Sequence, residues 1–384
     1  MIHPQVWVLL VGRFLSQWGS GFTLFYGPIV FVHRVGLSAT AVGLGLGATA
    51  LSGIAGRIAG GWGSDRLGRK PVLLLAAAIA ALGCGVLAVA GDFASFTLGN
   101  LILGLGVGLY WPANEAAVAD VTTPAQRQEA YALTRLADAV GLGLGVALGG
   151  FLVEDFYRWL FVIDGVTFAL FGVLVGWGFR EPLRKTSLSL EHLGEVLRQD
   201  GALRWYALLN VGFTFSLAQT NSALPLYLKT VAGAQRLSNW EIATFFTVFV
   251  LVTAVVQLPV ARLARPLGLV GTLQFSALLW AVGFATIGLR VWAGVGLSVL
   301  AVATAAYLPT ASTWVAAWAP AHLRGTYLAV NSLCWSVGYL LGPPVGGWFL
   351  DLPEPWADSL WWMLVGMAGG LMWGLTRLPE PAQL

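Results

Sequence analysis

Residues 61–70 read Gly-Trp-Gly-Ser-Asp-Arg-Leu-Gly-Arg-Lys, a charged stretch that separates two long apolar runs. The run before it, residues 40–60, has Arg57 as its one charged residue, and the run after it, residues 71–90, has none. A helix of about 20 apolar residues spans the ~30 Å hydrocarbon core of a bilayer. The stretch, named the motif loop below, is therefore expected at a membrane surface between two spanning helices.

The composition agrees with a protein surrounded by lipid. Hydrophobic residues make up 57% of the 384 residues and charged residues 10%, whereas a soluble domain has about 25% charged residues. The 49 glycines suit a bundle of membrane helices, because small residues let such helices approach closely. The predicted fold class is all-α integral membrane, since the sequence lacks the ~10-residue alternating segments of a membrane β-barrel.

Apolar stretches of spanning length recur along the whole chain, joined by short loops. They predict twelve transmembrane helices, at residues 6–32, 40–63, 71–90, 95–118, 124–151, 159–179, 205–228, 240–262, 267–289, 293–318, 321–349 and 359–377.

Basic residues concentrate in every second connection between these spans. The even-numbered connections hold Arg66, Arg69, Lys70, Arg127, Arg180, Arg184, Lys185, Arg198, Arg204, Arg262, Arg265 and Arg324. The odd-numbered connections hold only Arg34, Arg158, Lys229, Arg236 and Arg290. Because basic loops stay on the cytoplasmic side, both termini are expected in the cytoplasm of a multi-pass protein in a bacterial inner membrane.

One connection is long and polar, and it divides the chain. Residues 180–204 carry Leu190, Leu193 and Leu197 at helical spacing, which predicts an interfacial helix on the cytoplasmic side. The predicted domains are therefore an N-terminal six-helix bundle at residues 1–179, this linker, and a C-terminal six-helix bundle at residues 205–384.

The two halves repeat the same glycines and short motifs at a fixed displacement. The pairs that recur after 200 residues are Gly12 with Gly212, Leu37-Ser38 with Leu237-Ser238, and Gly68 with Gly268. The pairs that recur after 197 residues are Tyr110-Trp111-Pro112 with Tyr307-Leu308-Pro309, and the run from Gly145 to Gly150 with that from Gly342 to Gly347. Matched elements of equal orientation predict two pseudo-symmetric bundles related by an axis along the membrane normal.

The motif loop resembles the signature loop of the major facilitator superfamily, G-x-L-a-D-R-x-G-R-K, with only the Leu replaced, by Gly63. The resemblance extends over essentially the whole chain and implies the major facilitator fold and transport of small molecules by alternating access. In that family the loop acts as a conformational latch and does not bind substrate. The residues assigned to the latch here are Gly61, Asp65, Arg66, Gly68, Arg69, Lys70 and Asp120.

The latch has a physical interpretation in this chain. Asp65 is expected at the positive N-terminal end of the eleventh span, near Arg324, and Arg69 is expected to pair with Asp120 at the end of the fourth. The second half has Arg265 where Asp65 would fall, so the predicted latch is one-sided.

Within the superfamily the chain resembles the drug–proton antiporter branch, from which it departs at two places. The branch has a Gly-rich run with Pro in its fifth span, where this chain has Val146, and its full pattern occurs instead in the eleventh span around Gly342 and Pro343. The Arg of the family's fourth span is replaced by Asn100. Close helix packing with a bend is the simpler interpretation of both glycine runs.

Ionisable residues at membrane depth are costly and mark functional sites by default. They lie in the first half, and on the fifth span Arg127, Tyr131, Arg135 and Asp138 form one stripe. Two interpretations stay open: a static network between helices, or a proton carried by Asp138. The candidates for proton coupling are Asp138, Arg135, Glu115, Arg13 and Asp164.

The resemblance also implies a central cavity lined by the first, fourth, seventh and tenth spans. Polar side chains on these spans are candidates for binding an amphipathic substrate, and small polar residues that join helices are the alternative. The candidates are Gln17, Asn114, Asn210, Thr214, Asn221, Tyr307, Thr310 and Trp314.

Three functions follow as hypotheses. The first is a proton-coupled antiporter that exports hydrophobic or amphipathic small molecules, the second a flippase or exporter of a lipid or amphiphilic organic anion, and the third a non-transporting membrane sensor. No enzyme, cofactor, metal ion or nucleic-acid partner is predicted, because no phosphate-binding loop, metal cluster or nucleophile–base pair is evident. The expected partners are substrate, protons and membrane lipid, and the expected state is a monomer.

Overall fold

The structure is a computed structural model, which describes residues 4–154, 156–181, 193–230, 237–290, 292–320 and 323–381. Within these ranges the chain is helical and has no β-strand. The helices are α1 Pro4–His33, α2 Ala39–Leu67, α3 Arg69–Val89, α4 Phe93–Asp120, α5 Pro124–Leu152, α6 Tyr157–Gly178, α7 Leu193–Gln199, α8 Gly201–Asn221, α9 Ala223–Thr230, α10 Asn239–Leu263, α11 Gly268–Gly288, α12 Ala293–Trp318, α13 Arg324–Leu350 and α14 Ser359–Leu375.

The helices agree with the twelve predicted spans, which correspond to α1–α6, to α8 with α9, and to α10–α14. Eight helices in the described ranges are long and apolar enough by themselves to cross a membrane: α2–α6 and α10–α12. The last helix, α14, has only 17 residues, and α8 carries a run of buried polar residues near its end.

The seventh span is not one continuous helix, as the sequence predicted, but breaks at Ser222. Pro225 explains the break, because proline has no N–H to donate to the carbonyl of Asn221 and its ring crowds that carbonyl. Polar residues at the end of α8 tolerate the interruption, since the side chain of Ser222 donates to the carbonyl of Ala218.

The chain forms two compact units, each with its own core. Unit 1 consists of Met1–Leu188 with Ser238–Thr247, and unit 2 of Ser189–Leu237 with Val248–Leu384. The predicted linker is described only from α7 onward, so the predicted domain boundaries stay a prediction.

The helix pairings of unit 1 recur in unit 2. In unit 1, α1 packs against α5 and α6, and α3 packs against α4 and α6. In unit 2, α8 packs against α13 and α14, and α11 packs against α12 and α14. The glycines and motifs that repeat in the sequence therefore correspond to helix pairings that repeat in the two units.

Repeated glycines sit at equivalent close contacts. A Cβ on Gly12 would lie 2.5 Å from the ring of Phe171, and one on Gly212 would lie 2.8 Å from Leu371. The glycines that begin the equivalent helices α3 and α11 are also alike. Both Gly68 and Gly268 have a positive φ, 103° and 71°, which glycine adopts without the steric cost that a side chain brings.

Two glutamates cap these equivalent helices. Glu181 accepts the backbone N–H groups of Arg69 and Lys70, each at 2.7 Å. Glu380 accepts those of Leu269 and Val270, at 3.3 and 2.8 Å. A carboxylate on free N–H groups at the positive end of a helix dipole is stabilising. The segment after α6 is therefore tied to the start of α3, and the segment after α14 to the start of α11.

The glycines of α3 offer a matched test of this packing. A Cβ on Gly83 would lie 2.5 Å from the backbone nitrogen of Leu103, whereas one on Gly85 would meet no atom within 4 Å. We expect Gly83→Ala to lower the melting temperature of the purified protein in detergent, because α3 and α4 would be pushed apart. Gly85→Ala should leave it unchanged or raise it slightly, because alanine favours the helix. Equal melting temperatures for the two variants would contradict this account of the α3–α4 contact.

Candidate functional site

A charged cluster lies inside unit 1, where three helices meet. Arg13 of α1 is 0% exposed. Its Nε donates to Asp138 Oδ1 at 2.5 Å and its Nη2 donates to Asp138 Oδ2 at 2.7 Å, the two-pronged geometry that suits a guanidinium and a carboxylate. Its Nη1 donates to Glu115 Oε1 at 2.9 Å. Arg13 thus joins α1 to α4 and α5.

The cluster is open on one side. Arg135 lies 3.7 Å from Glu115 and 3.8 Å from Asp138, and its side chain is 68% exposed. The side chain of Glu115 is 31% exposed. Two cations and two carboxylates are therefore arranged in order of depth, with Arg13 innermost and Arg135 outermost. Side-chain exposure thus increases from Arg13 through Asp138 and Glu115 to Arg135.

Aromatic residues support the inner part of the cluster. The guanidinium of Arg13 lies 4.6 Å from the ring centroid of Trp111, close enough for a cation–π contact. The hydroxyl of Tyr131 donates to the backbone carbonyl of Glu115 at 3.1 Å. Both contacts hold α4 against its neighbours at the level of the ion pairs.

The sequence predicted the members of this cluster but not its centre. Spacing along α5 indicated that Arg135 and Asp138 lie one turn apart, and their 3.8 Å contact agrees. It gave no sign that Asp138 binds Arg13, which is 125 residues away. The only indication that Arg13 needs a partner was its position deep in the first span, where an unpaired charge would be costly. The side chain of Arg127 lies outside the described part of the structure.

Asp164 lies apart from this cluster, elsewhere in unit 1. It is 1% exposed, and its Oδ2 accepts the hydroxyl of Thr23 at 2.5 Å. Gly19 packs so closely against it that a Cβ there would lie 2.5 Å from Asp164 Oδ1. The thiol of Cys84 also interacts with this carboxyl group. The site suits a neutral, protonated carboxyl, because burying an ionised one without a cation costs several kcal/mol.

The motif loop forms a second charged cluster in unit 1, centred on Arg69. Arg69 is 4% exposed. Its Nε donates to Asp120 at 2.9 Å, the pair that the sequence predicted, and its Nη1 donates to Asp65 at 2.7 Å. Lys70 Nζ donates to the carbonyl of Gly176 at 2.7 Å. These contacts bind the ends of α2, α3, α4 and α6 to one another.

The other residues assigned to the latch have separate positions. Arg66 is exposed, with its guanidinium 4.5 Å from the ring of Trp62. Gly61 has no atom within 4 Å of an added Cβ, so its lack of a side chain is not required for packing within unit 1. The side chain of Arg324, near which Asp65 was expected, lies outside the described residues.

Several predicted cavity residues form a neutral network in unit 2. Asn210 donates to Asn331 Oδ1 at 3.0 Å and accepts the hydroxyl of Tyr307 at 2.6 Å. Tyr206 donates to the same Asn331 oxygen at 2.8 Å, and Trp314 stacks on Tyr206 with ring centroids 4.6 Å apart. Sequence reasoning missed Tyr206 and Asn331, although Tyr206 lies one helical turn before Asn210. The network joins α8, α12 and α13.

The remaining cavity candidates lie in both units. In unit 2, Thr214 and Thr310 donate to carbonyls of their own helices, and Asn221 donates to the hydroxyl of Tyr339 at 2.7 Å. In unit 1, Gln17 is half-buried beside Gly141. Asn114 is 0% exposed, and neither atom of its amide has a hydrogen-bond partner among the described residues.

Asp200 holds the start of unit 2. Its carboxylate accepts Leu203 N–H, the indole of Trp318 and the hydroxyl of Tyr327, at 2.9, 2.9 and 2.7 Å. Burial by itself would raise the pKa of Asp200, but these three donors outweigh it and lower the pKa below its usual value. Asp200 thus stays ionised and ties α8 to α12 and α13, a role that the sequence did not suggest.

The whole chain matches one family and its relatives. The model of the Major Facilitator Superfamily matches residues 9–269 and 235–384. Multidrug resistance protein MdtH of Salmonella arizonae is 25% identical over 371 residues, which cover 92% of this chain and 90% of that protein. MdtH of Escherichia coli K12 is 26% identical over 358 residues, with 89% and 85% covered.

Solved structures have the same fold. The nucleoside transporter NupG superposes with a TM-score of 0.83 at 14% identity, covering 98% of this chain and 99% of its own. A D-xylose-proton symporter superposes with a TM-score of 0.80 at 17% identity, covering 98% of each chain.

The pairing of Arg13 with Asp138 predicts a specific pattern of stabilities. We expect Arg13→Gln to destabilise the protein by about 3–5 kcal/mol, because it leaves Asp138 buried without its cation. The double variant Arg13→Gln/Asp138→Asn should recover most of that loss, because both groups are then neutral amides. Arg135→Gln should change little, since Arg135 is exposed and its contacts are long. Thermal unfolding in detergent measures all three, and a double variant no more stable than Arg13→Gln would refute the pairing.

Proposed function

Because this chain belongs to the Major Facilitator Superfamily and is a membrane transporter of twelve helices, we propose that it exports amphipathic small molecules in exchange for protons. The relatives named multidrug resistance protein support export of varied hydrophobic compounds, and the chain covers most of their length. Membership of the Major Facilitator Superfamily and the multidrug resistance named for the relatives favour this hypothesis over the membrane sensor.

The observation that carries the proposal is the buried pair of Arg13 and Asp138. An ionised Asp138 satisfies the guanidinium through two hydrogen bonds. A proton on Asp138 would remove the negative charge that faces Arg13, which would then be held by Glu115 alone. Protonation therefore changes the force between α1 and α5. Such a charge change at a helix contact is what coupling of proton uptake to a conformational equilibrium requires.

Glu115 and Arg135 supply the connection to water in this proposal. Glu115 is partly exposed and Arg135 mostly exposed, so protons reach Asp138 past them without crossing apolar packing. Substrate that binds beside Glu115 changes the electrostatic potential at Asp138, since both carboxylates contact the same guanidinium. Proton and substrate then influence each other's binding reciprocally, as linkage demands.

The motif loop has a separate role in the proposal. We assign it to a latch that holds one conformation of the transporter. We also propose that both termini lie in the cytoplasm of a bacterial inner membrane and that the chain acts as a monomer. The buried Arg69, bound to Asp65 and Asp120, makes the loop a rigid end to four helices. Alternating access then moves the helices of one unit as a body, and the predicted domain boundaries at residues 179 and 205 mark the parts that move.

A second candidate function has one observation in its favour. Arg135 presents a mostly exposed guanidinium at the depth of the cluster, and an exposed cation at membrane depth suits the headgroup of a lipid or an amphiphilic organic anion. A flippase would move such a molecule without a proton. Movement of a labelled anionic lipid that is independent of a pH gradient would favour it over the antiporter.

Asp138 is tested by separating exchange from proton coupling. Inside-out vesicles with an acidic interior should accumulate an amphipathic fluorescent dye, and Asp138→Asn should reduce this accumulation at least about tenfold. Dye-for-dye exchange without a gradient should persist, because substrate binding is retained.

Asp92→Asn is the matched control. Asp92 is an exposed cap of α4 whose pKa is lowered by the Ser95 backbone N–H, and asparagine caps equally well. Undiminished dye accumulation by Asp138→Asn would rule out the coupling role of Asp138.

The latch is tested through Asp65→Asn, which keeps the size of the side chain and removes its charge. We expect transport to be lost while dye binding to the purified protein stays within about twofold, because Asp65 contacts Arg69 and lies apart from the Arg13 cluster. Equilibrium binding and vesicle uptake are measured on the same preparation. The rate at which a protease cleaves the protein reports its conformational state. The latch role would be contradicted if Asp65→Asn lost dye binding while this cleavage rate stayed unchanged.

A further inference from the structure

Asn114 of α4 differs from the other asparagines of the structure. Its side chain is 0% exposed, and both its Oδ1 and its Nδ2 are without a hydrogen-bond partner among the described residues. Asn100, Asn210, Asn221, Asn239 and Asn331 each make at least one side-chain hydrogen bond. A buried amide that joins helices would be bonded like these five, so helix packing does not account for Asn114.

The energetic cost makes the position informative. An unpaired buried donor or acceptor costs about 1–3 kcal/mol, and Asn114 leaves both kinds unpaired. Nearly all buried polar groups in proteins have partners, and exceptions call for an explanation. A leucine of similar shape would avoid the cost. The amide is therefore expected to find its partner in another conformation or in a bound molecule.

The surroundings of Asn114 indicate what such a molecule would be. Tyr110 and Trp111 lie one turn before Asn114 on α4, on the adjacent part of the helix surface. The ring of Tyr110 is 4% exposed and packs edge-on against Trp111, and the ring of Trp111 covers Arg13. Glu115, the next residue in the chain, is an acceptor of the charged cluster. Along α4, two aromatic residues thus precede Asn114 by one turn and an acidic residue follows it.

The two polar atoms of the Asn114 amide restrict further which chemical group could bind it. An anion could accept from Nδ2, but it would offer Oδ1 no donor. An amine could donate to Oδ1, but it would leave Nδ2 unpaired. A group with a carbonyl and an N–H on the same edge satisfies both atoms at once through two parallel hydrogen bonds. Primary carboxamides, lactams and cyclic imides have this edge.

We propose that Asn114 is a specificity-determining residue, which recognises the carbonyl and N–H edge of an amide or lactam carried on a flat apolar skeleton. The inference rests on the proposed export function and names the class of substrate. The full burial of Asn114 here means that binding occurs in a conformation that opens this face of α4.

Carbostyril and coumarin are the probes, because they share one two-ring skeleton and differ only where the lactam N–H is replaced by a lactone oxygen. Equilibrium dialysis with the purified full chain measures the binding of each. The protein should bind carbostyril about tenfold more tightly than coumarin, the effect of one hydrogen bond that is otherwise unmade. Asn114→Leu should remove this preference by weakening carbostyril, with coumarin bound equally well or more tightly.

Thr97→Val is the matched control, since it removes another buried hydroxyl of α4 that has no partner among the described residues, and it should leave the preference intact. If Asn114→Leu does not fold, Asn114→Ala must show the same loss. Equal binding of the two probes by the unaltered protein, or a preference that survives both substitutions, would overturn the inference.

Dye export, measured in vesicles on the same preparation, separates this inference from the proposed function. Dye export without any preference between the probes overturns the role of Asn114 and leaves the export function standing. Absence of both dye export and probe binding overturns the export function and the inference together.

Discussion

A guanidinium inside an apolar bundle must be matched by carboxylates, and in this protein Arg13 imposes that constraint. With no exposure to solvent, Arg13 donates two hydrogen bonds to Asp138 and one to Glu115, which fixes the contact of α1 with α4 and α5. Removal of either charge leaves the other in a medium where it costs several kcal/mol. Because each buried charge depends on its partner, loss of one charge destabilises the fold, and for the same reason a single proton changes the cluster. Stability and proposed coupling therefore depend on the same hydrogen bonds.

The two units share their packing and differ in their polar chemistry. Small residues and capping glutamates occupy equivalent positions in both, as the pairs Gly68 with Glu181 and Gly268 with Glu380 illustrate. The charged cluster belongs to unit 1. At the corresponding helices unit 2 has hydroxyl and amide groups of Tyr206, Asn210 and Asn331, bonded to one another and stacked on aromatic rings. Neutral networks do not change charge between conformations, so the response to protons is assigned to unit 1 and the stable aromatic framework to unit 2.

Asn114 adds a third kind of polar group, neither an ion pair nor a helix contact. Ion pairs bind tightly but discriminate poorly among ligands that have the same charge, whereas an amide with both atoms unpaired rejects molecules that lack a matching edge. In the proposed function, its position next to Glu115 would put substrate recognition and proton coupling on consecutive residues of α4. Substrate and proton would then act on the same turn of one helix.

The sequence by itself determined the twelve spans, their repeat and the Arg69–Asp120 pair, because hydrophobic length, glycine punctuation and the ordered charges of the motif loop are local signals. It also predicted which ionisable residues lie at membrane depth. Only the tertiary structure decided that Arg13 bonds Asp138 across 125 residues and that Asp200 anchors α12 and α13. It also decided that Asn210 is bonded, whereas the Asn114 amide has no hydrogen-bond partner in the part of the chain that the structure describes. The physical reason is that partner choice depends on the rotation and depth of packed helices, which small differences in close contacts set and no local pattern encodes.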